Sequence, residues 1–301
     1  MSAPLSVGAR SPSRRPTSRS RLANAALILL VLLHAVGGWL VWDNRRLVVT
    51  DYEVTMADLP ADSSGIRIAQ VSDLHAAHFG SFEDRLLQAV TAAKPDLVVI
   101  TGDIVDRSTR DLTAPLRTAE RLAQVAPTVF ITGNHEADLG QRAQLLEGLE
   151  QRGVLVLRDE AHSMTLNGTD LVVVGLDDAK HRRNAKLPAR SPGEVMDSLS
   201  ITDDAPVLVL AHRPTLLPEL AEHGADVVLS GHAHGGQVRI PRVGGLIAPD
   251  QGLFPALTSG VHRHGDASIV ISRGLGNTAL AQVRVNNPRE LVIVDLVPAA
   301  D

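Results

Sequence analysis

The sequence predicts an α/β fold preceded by one N-terminal transmembrane helix. Three observations support this prediction: an uncharged apolar segment near the N-terminus, a later alternation of Val- and Ile-rich runs with helical patterns, and strand-like runs near the C-terminus with little helix between them. Alternating strands and helices are typical of a sheet covered by helices. The C-terminal runs predict that part of the sheet is antiparallel.

The first 21 residues form a basic tail, and residues 22–42 form the predicted membrane span. The tail contains five arginines, and no acidic residue occurs before Asp43. The span has no formal charge, and 21 helical residues at about 1.5 Å each can cross a hydrocarbon core of roughly 30 Å. Trp39 and Trp42 fit an interfacial aromatic belt. The positive-inside rule places the N-terminus in the cytoplasm and the rest of this single-pass protein outside it.

Two other interpretations of the apolar segment stay open. One is a buried core helix, although the segment is apolar on every face. The other is a cleaved signal peptide, because small residues at 35–37 follow an apolar run of suitable length. We expect an uncleaved anchor, and N-terminal sequencing that starts near Gly38 would contradict it. Residues 43–64 are predicted to be a tether, and residues 65–301 to be the folded domain.

Six apolar runs after the tether predict buried strands. Their residues are 66–73, 96–103, 127–134, 170–178, 206–212 and 225–232. Helical patterns lie between several of them, at 82–94, 111–125 and 137–151. Three further strand-like runs follow, at 237–241, 268–274 and 290–296.

Polar side chains follow nearly every predicted buried strand. They are Asp73 and His75, Asp103, Asn134 and His135, His212, and then His232 and His234. A single Asp or His after a strand usually has only a structural role, such as capping a helix or forming a turn. Such a role does not explain why polar residues of this kind follow five of the predicted strands. In open α/β sheets, ligands bind at the carboxyl ends of the strands. We therefore expect these side chains to form one site.

The chemistry of these side chains predicts a dinuclear metal centre. Without His135, they comprise two Asp, one Asn and four His, which is too many for one tetrahedral ion but suits two ions that share a carboxylate. Nitrogen and oxygen donors without sulfur favour Mn, Fe or Zn, among which the sequence does not choose. The chain has no cysteine, so thiolate and disulfide chemistry are excluded.

In order, the motifs D-x-H, G-D, G-N-H-E, a lone His and G-H-x-H resemble the signature of the calcineurin-like metallophosphoesterases, over roughly residues 65 to 298. The resemblance implies a two-sheet β-sandwich flanked by helices, with the metals at the strand ends. It also implies that Asp103 bridges two divalent ions. The ligands of one ion would be Asp73, His75 and His234, and those of the other Asn134, His212 and His232.

The same resemblance implies a phosphoesterase in which a metal-activated water attacks the phosphorus of a monoester, diester or pyrophosphate. His135 would stabilise the transition state or protonate the leaving oxygen. In "GDIVDR", the resemblance implies that Asp106 orients His135 and Arg107 contacts the phosphate. A solvated ion pair in this loop is the alternative interpretation of the two residues. Thr132 stands where the family's protein phosphatases have an arginine, which argues against a phosphoprotein substrate.

Further motifs resemble the membrane-associated bacterial branch of the family, which includes UDP-diacylglucosamine pyrophosphatase-like enzymes. They are "GLDD" at 175–178, "LAHRP" at 210–214, "LSGHAHGGQVRIP" at 229–241 and "SRGLGN" at 272–277. This resemblance implies a lipid-linked or cell-envelope substrate. Two interpretations stay open for His78, Phe79, Asp177 and Asp178: they line the mouth of the pocket, or they have a surface role.

Two other functions stay open: a nuclease or cyclic-nucleotide phosphodiesterase, and a noncatalytic metal-binding scaffold. The net charge of −5 and the aromatic content of 2% argue against nucleic acid as a partner, because such proteins usually present a basic surface and stacking aromatics. The complete set of predicted ligands argues against the scaffold. The oligomeric state is not predicted.

Overall fold

A computed structural model of the protein describes residues 18–76, 80–202, 205–277 and 283–299. The chain divides into one unit up to Val41 and a second from Trp42 onward. Most of helix α1 (Ser18–Arg45) belongs to the first unit. Within this helix, Asn24–Arg45 is long and apolar enough to cross a membrane, as predicted for residues 22–42. Most of the basic tail, and also His78 and Phe79, lie outside the described residues.

The second unit contains two six-stranded sheets. The first has the order β1 (Leu47–Met56), β16 (Arg289–Pro298), β2 (Ile66–Val71), β3 (Leu97–Ile100), β4 (Thr128–Phe130) and β5 (Val154–Val156). The second has the order β14 (Gly260–His264), β15 (Ala267–Ile271), β9 (Val227–Ser230), β8 (Val207–Leu210), β7 (Thr169–Gly175) and β6 (Glu160–Leu166).

Both sheets are mixed. Strands β2 to β5 are parallel, and β16 runs antiparallel to β2. In the second sheet β7, β8, β9 and β15 are parallel, whereas β6 and β14 are antiparallel edges. Antiparallel pairing near the C-terminus is therefore present, although β15 pairs in parallel with β9. Two short ribbons complete the strands: β10 (Arg239–Ile240) with β11 (Gly244–Gly245), and β12 (Ile247–Ala248) with β13 (Gly252–Leu253).

Strand β1 corrects one sequence-based expectation. Residues 43–64 were expected to be a tether, but Leu47–Met56 pairs in parallel with all of β16. Val54 and Met56 are buried, whereas the alternating Glu53 and Thr55 face solvent. This edge strand has polar residues on its outer face, so it lacks the continuous apolar run that marks the buried strands. The expectation does not hold for these ten residues.

Seven further α-helices cover the sheets. They are α2 (Ser81–Ala93), α3 (Thr113–Ala123), α4 (Asn134–Asp138), α5 (Arg142–Glu150), α6 (Ala179–Asn184), α7 (Pro192–Ser198) and α8 (Leu217–Glu222), among the described residues. A 3₁₀ turn, η1 (Pro214–Leu216), precedes α8, and a second, η2 (His234–Gly236), follows β9. The helix predicted at 137–151 is two helices, and α4 already begins at Asn134.

Three apolar layers hold this arrangement together. The middle layer lies between the sheets, where Leu97 and Val99 of β3 pack with residues such as Leu229 of β9. Because successive strand residues face opposite sides, Val98 and Ile100 point away from the second sheet and pack under α2, α3 and α5. A third layer packs α7 and α8 on the second sheet. The parallel strands are therefore buried on both faces.

Asp226 gives this fold a pH dependence. Burial, and to a smaller extent the nearby Asp58 carboxylate, raises the pKa of Asp226 to about 6. An acid with a raised pKa in the folded state destabilises the fold as pH rises through that pKa. We expect Asp226→Asn to raise the unfolding temperature at pH 7.5, because it removes a half-buried negative charge. At pH 4 the folded protein already holds Asp226 protonated, so the unfolding temperature should be nearly unchanged. Asn can still accept the hydrogen bond from the Val207 amide. Thermal denaturation with the exposed Asp62→Asn as control tests this; equal effects at both pH values would contradict it.

Candidate metal centre

The segments that follow the carboxyl ends of strands in both sheets carry the seven predicted metal ligands, with Asn134 at the start of α4 and His234 at the start of η2. Five of these residues adopt left-handed backbone conformations, with φ between 48° and 66°: Asp73, His75, Asp103, His232 and His234. Non-glycine residues rarely adopt this conformation, which costs about 1–3 kcal/mol each and occurs most often at functional sites. Gly231 allows a close approach, because a Cβ there would collide with the side chains of Ser72 and Asp73.

Asp73, His75 and His234 form the first cluster. Their nearest ligand atoms lie within 4.8 Å of one another, and all three residues are buried. The Nε2 atoms of His75 and His234 are 3.2 Å apart, and His234 Nε2 is 3.4 Å from Asp73 Oδ1. The Asp73 carboxylate also accepts a hydrogen bond from the His232 amide, which joins β2 of the first sheet to β9 of the second. The structure thus brings together the three residues predicted to bind one ion.

Asp103, His212 and His232 form the second cluster, again with ligand atoms within 4.8 Å. His212 Nε2 lies 3.3 Å from Asp103 Oδ2 and 3.2 Å from His232 Nδ1. Asn134 is buried at the start of α4, and its amide oxygen has no hydrogen-bond partner in the described part of the chain. A buried amide oxygen without a partner is costly unless a ligand satisfies it.

Asp103 lies between the two clusters. Its Oδ2 atom is 3.3 Å from Nε2 of His212 and 3.9 Å from Nε2 of both His75 and His135. The carboxylate therefore contacts side chains from both sets of predicted ligands. This position agrees with a bridging carboxylate.

The electrostatics of the buried carboxylates fit divalent cations. Burial alone would raise the pKa of Asp73 and of Asp103, yet the surrounding imidazoles hold both below the usual value. Burial likewise opposes protonation of His212, but the adjacent Asp103 outweighs it and raises its pKa to about 10. Two ionised carboxylates at a nearly dry site require positive charge. The donor set of oxygen and nitrogen without sulfur suits Mn, Fe or Zn.

A family model described as Calcineurin-like phosphoesterase matches residues 66–236, which is more than half of the chain. The chain belongs to this family. The match begins at β2 and ends just after the G-H-x-H motif, so it includes all seven predicted ligands. The protein is therefore a metal-dependent phosphohydrolase, and its family implies divalent metal ions.

Three curated relatives illustrate this membership. A metallophosphoesterase of Aquifex aeolicus is 31% identical over 83% of this chain and 92% of its own length. Phosphodiesterase YaeI of Escherichia coli is 29% identical over 78% of this chain and 84% of its own length. A transmembrane protein with metallophosphoesterase domain from Danio rerio is 30% identical over 71% of this chain and 50% of its own length.

Glu136 fixes the backbone that carries Asp103 in this metallophosphoesterase. Its buried carboxyl accepts hydrogen bonds from the amides of Asp103 at 2.8 Å, Gly133 at 2.7 Å and Val105 at 3.2 Å. The His135 amide in turn donates to Asp103 Oδ1 at 2.8 Å. Burial and the nearby Asp103 charge raise the pKa of Glu136 to about 8. Glu136 belongs to the G-N-H-E motif, but no role was predicted for it from the sequence.

Other side chains orient the imidazoles of the second cluster. His212 Nδ1 donates to the Thr101 carbonyl at 2.8 Å, which directs Nε2 toward Asp103. His232 Nε2 lies 2.9 Å from Asp250, which directs Nδ1 toward His212. Arg213 forms ion pairs with both Asp250 and Asp178. Such secondary contacts fix ring orientation in metal sites.

A separate group supports His234. The side-chain amide of Asn287 donates to the His234 carbonyl at 2.7 Å. Arg284 is fully buried, and its guanidinium donates to the carbonyls of Gly276 and Arg273 while Nη2 lies 3.5 Å from His234 Nδ1. Neither residue lies in a motif recognised from the sequence, because their proximity to His234 depends on contacts across about 50 positions.

His135 lies at the edge of the clusters, with its ring centroid 4.5 Å from that of His75. The Asp106 carboxylate is 3.1 Å from His135 Nδ1, and Arg107 Nη2 is 3.3 Å from Nε2. Burial lowers the pKa of His135 despite the attraction of Asp103. The structure therefore brings all three predicted catalytic residues together. Arg107 is half exposed and also pairs with Asp138 at 3.6 Å.

We expect Glu136→Ala to lower the free energy of unfolding by about 3 kcal/mol or more, because it leaves three buried amide donors without an acceptor. Glu136→Gln keeps one carbonyl acceptor and should therefore lower the free energy of unfolding by less than Glu136→Ala. Denaturant unfolding of both variants, with the exposed Glu147→Ala as control, measures this. Wild-type stability of Glu136→Ala would contradict the assigned role.

Proposed function

We propose that this protein is a membrane-anchored, dinuclear metallophosphoesterase that acts outside the cytoplasm. The observation that supports the proposal most strongly is that six of the seven predicted ligands form two buried clusters, with Asp103 of the second cluster 3.9 Å from His75 of the first. Neither cluster has a competing role in the core, since the apolar layers lie on the strands and the ligands lie beyond the strand ends.

In this proposal, two divalent ions would bind here and Asp103 would contribute to both sites. Asp73, His75 and His234 would hold one ion, and Asn134, His212 and His232 would hold the other. The unpartnered amide oxygen of Asn134 supports its inclusion. When bound, the pair of ions supplies an activated water and neutralises charge on the phosphoryl group.

The protein's own side chains act on the leaving-group side. In its neutral form, His135 accepts a hydrogen bond at Nδ1 from the Arg107 backbone amide at 3.1 Å, which leaves Nε2–H to donate a hydrogen bond to the departing oxygen. The Asp106 carboxylate, 3.1 Å from the same Nδ1, stabilises the imidazolium form that can donate a proton. Arg107 lies close enough to His135 to bind a phosphoryl oxygen in the same space. A positioned proton donor of this kind contributes about 10² to 10⁴ in rate. Glu136 fixes the position of the Asp103 backbone relative to the residues before His135, because its carboxyl accepts hydrogen bonds from the amides of Asp103 and Gly133.

For the substrate, we propose a diester or pyrophosphate bond in a lipid-linked molecule of the cell envelope. The apolar helix and the arginine-rich tail support an anchor that places the active site near the bilayer surface. The name of the E. coli relative, a phosphodiesterase, supports the bond type, and the zebrafish relative is named as a transmembrane protein. The motifs shared with UDP-diacylglucosamine pyrophosphatase-like enzymes support the substrate class.

The test uses the full chain in detergent, loaded in turn with Mn, Fe, Zn or Mg, on p-nitrophenyl phosphate and bis-p-nitrophenyl phosphate. We expect metal-dependent hydrolysis with a preference for the diester. Asp103→Asn and His135→Ala should each lower kcat at least about 100-fold, because one removes the bridge and the other the proton donor. His162→Ala removes an exposed histidine of β6 and serves as the matched control.

Unchanged activity in Asp103→Asn would contradict the proposed centre. Activity in wild-type protein that does not depend on any added metal and resists chelators would contradict the dinuclear mechanism. A preference for the monoester would retain the mechanism but contradict the proposed bond type.

A further inference from the structure

Six large apolar side chains are exposed on the segments that flank η2 and the metal centre. We call them the apolar loop patch: Ile240, Val243, Ile247, Leu253, Phe254 and Val283. Leu253 and Phe254 are 67% and 62% exposed, and Val243 is 62% exposed. Exposed apolar residues grouped in this way are typical of an interaction surface.

Backbone hydrogen bonds join these residues into one layer. The two ribbons β10–β11 and β12–β13 carry most of the patch, and the Phe254 amide donates to the Leu246 carbonyl at 2.8 Å. Leu246 in turn donates to Val238, which forms a bridge with Val285. The Gln237 side chain donates to the Val283 carbonyl at 3.2 Å. The patch is therefore a continuous part of the folded domain.

The same layer is attached to the end of the apolar segment. Asn44 lies two residues after Trp42, and its side chain exchanges two hydrogen bonds with the backbone of Arg284, at 2.7 and 2.8 Å. Asp43 accepts a hydrogen bond from the Asn287 amide at 3.2 Å. Val283 directly precedes Arg284. The position where the chain leaves the predicted membrane span is thus fixed next to the patch.

The metal centre adjoins the layer as well. Arg284 and Asn287, which hold the chain after Trp42, are the residues that contact His234. His234 is also the first residue of η2, which the ribbons of the patch follow in the chain. One group of contacts therefore connects three features: the end of the apolar segment, the apolar loop patch and the first cluster of metal ligands.

We propose that the apolar loop patch inserts into the surface of the bilayer that holds α1. This inference rests on the proposed membrane anchor, and it adds the surface with which the domain meets the lipid. Arg45, directly after Asn44, and Arg242, in the turn between β10 and β11, are exposed, and arginines near a bilayer surface can bind lipid phosphates. Burial of apolar side chains at the interface is favourable. The docked domain holds the metal centre at the level of the phosphate groups.

The bilayer explains the patch better than a second copy of the chain. A protein partner would leave unexplained why the exposed apolar residues group next to Trp42 and Asn44, whereas a membrane surface must pass close to these residues if the anchor spans it. In residues 237–254 the only acidic side chain is Asp250, which is paired with Arg213 and contacts His232. The patch thus presents no free carboxylate to anionic lipids within those residues.

The experiment uses the absence of native cysteine. Full-length Phe254→Cys and Leu253→Cys are labelled with an environment-sensitive dye and reconstituted in phosphatidylethanolamine and phosphatidylglycerol vesicles. Glu150→Cys, exposed on α5 at the other side of the first sheet, is the matched control. We expect blue-shifted emission at 253 and 254, with at least threefold stronger quenching by lipid-borne nitroxides than at 150 and weaker quenching by aqueous iodide.

Vesicle flotation distinguishes a failure of the proposed membrane anchor from a failure of the proposed docking of the apolar loop patch. Protein that does not float with the vesicles after alkaline washing would contradict the anchor, and with it the proposed function. Protein that floats but shows equal iodide quenching at 254 and 150 would contradict docking alone. Dye that is shielded from iodide and from lipid nitroxides, with cross-linking between two copies through residue 254, would show an interface between protein chains and overturn the docking proposal.

Discussion

The structure depends on the burial of two ionised carboxylates, Asp73 and Asp103, where the ends of the two sheets meet. A buried charge is tolerated only when it is paired or bound by metal. Histidines surround these carboxylates, and their attraction outweighs the effect of burial, so the pKa of both acids lies below its usual value. The site is therefore built to hold positive charge, and divalent ions satisfy this requirement for a family of metal-dependent phosphohydrolases.

The need to gather these side chains around buried charge explains the left-handed backbone conformations at the site. Five ligands have left-handed conformations, which side chains other than glycine rarely adopt. Such strain persists only where surrounding contacts over-determine it. Glu136 provides three of these contacts around the Asp103 loop, and the Asp73 carboxylate binds the backbone of His232 across the two sheets. The middle apolar layer holds the two sheets together, and hence the ligands that each sheet contributes to both clusters.

The sequence predicted those features of the structure that depend on residues close together in the chain, such as apolar strands and the motifs at their ends. The inner strands produce continuous apolar runs that end in polar motifs, so β2, β3, β4, β7, β8 and β9 were predicted, together with β15 and β16. The four edge strands β1, β5, β6 and β14 were missed: β1 alternates with polar residues and resembles a linker, and β5 has only three residues. Glu136, Arg284 and Asn287 were not assigned because their roles arise from distant contacts, such as Arg284 with Asn44 across 240 positions.

The central claim is that the two clusters bind two ions joined by Asp103. Crystals of the protein grown with Mn²⁺ and measured at the manganese absorption edge test it directly. We predict two anomalous peaks, one at Asp73, His75 and His234 and the other at Asn134, His212 and His232, with Asp103 in contact with both. A single peak, or two peaks that Asp103 does not bridge, would contradict the account.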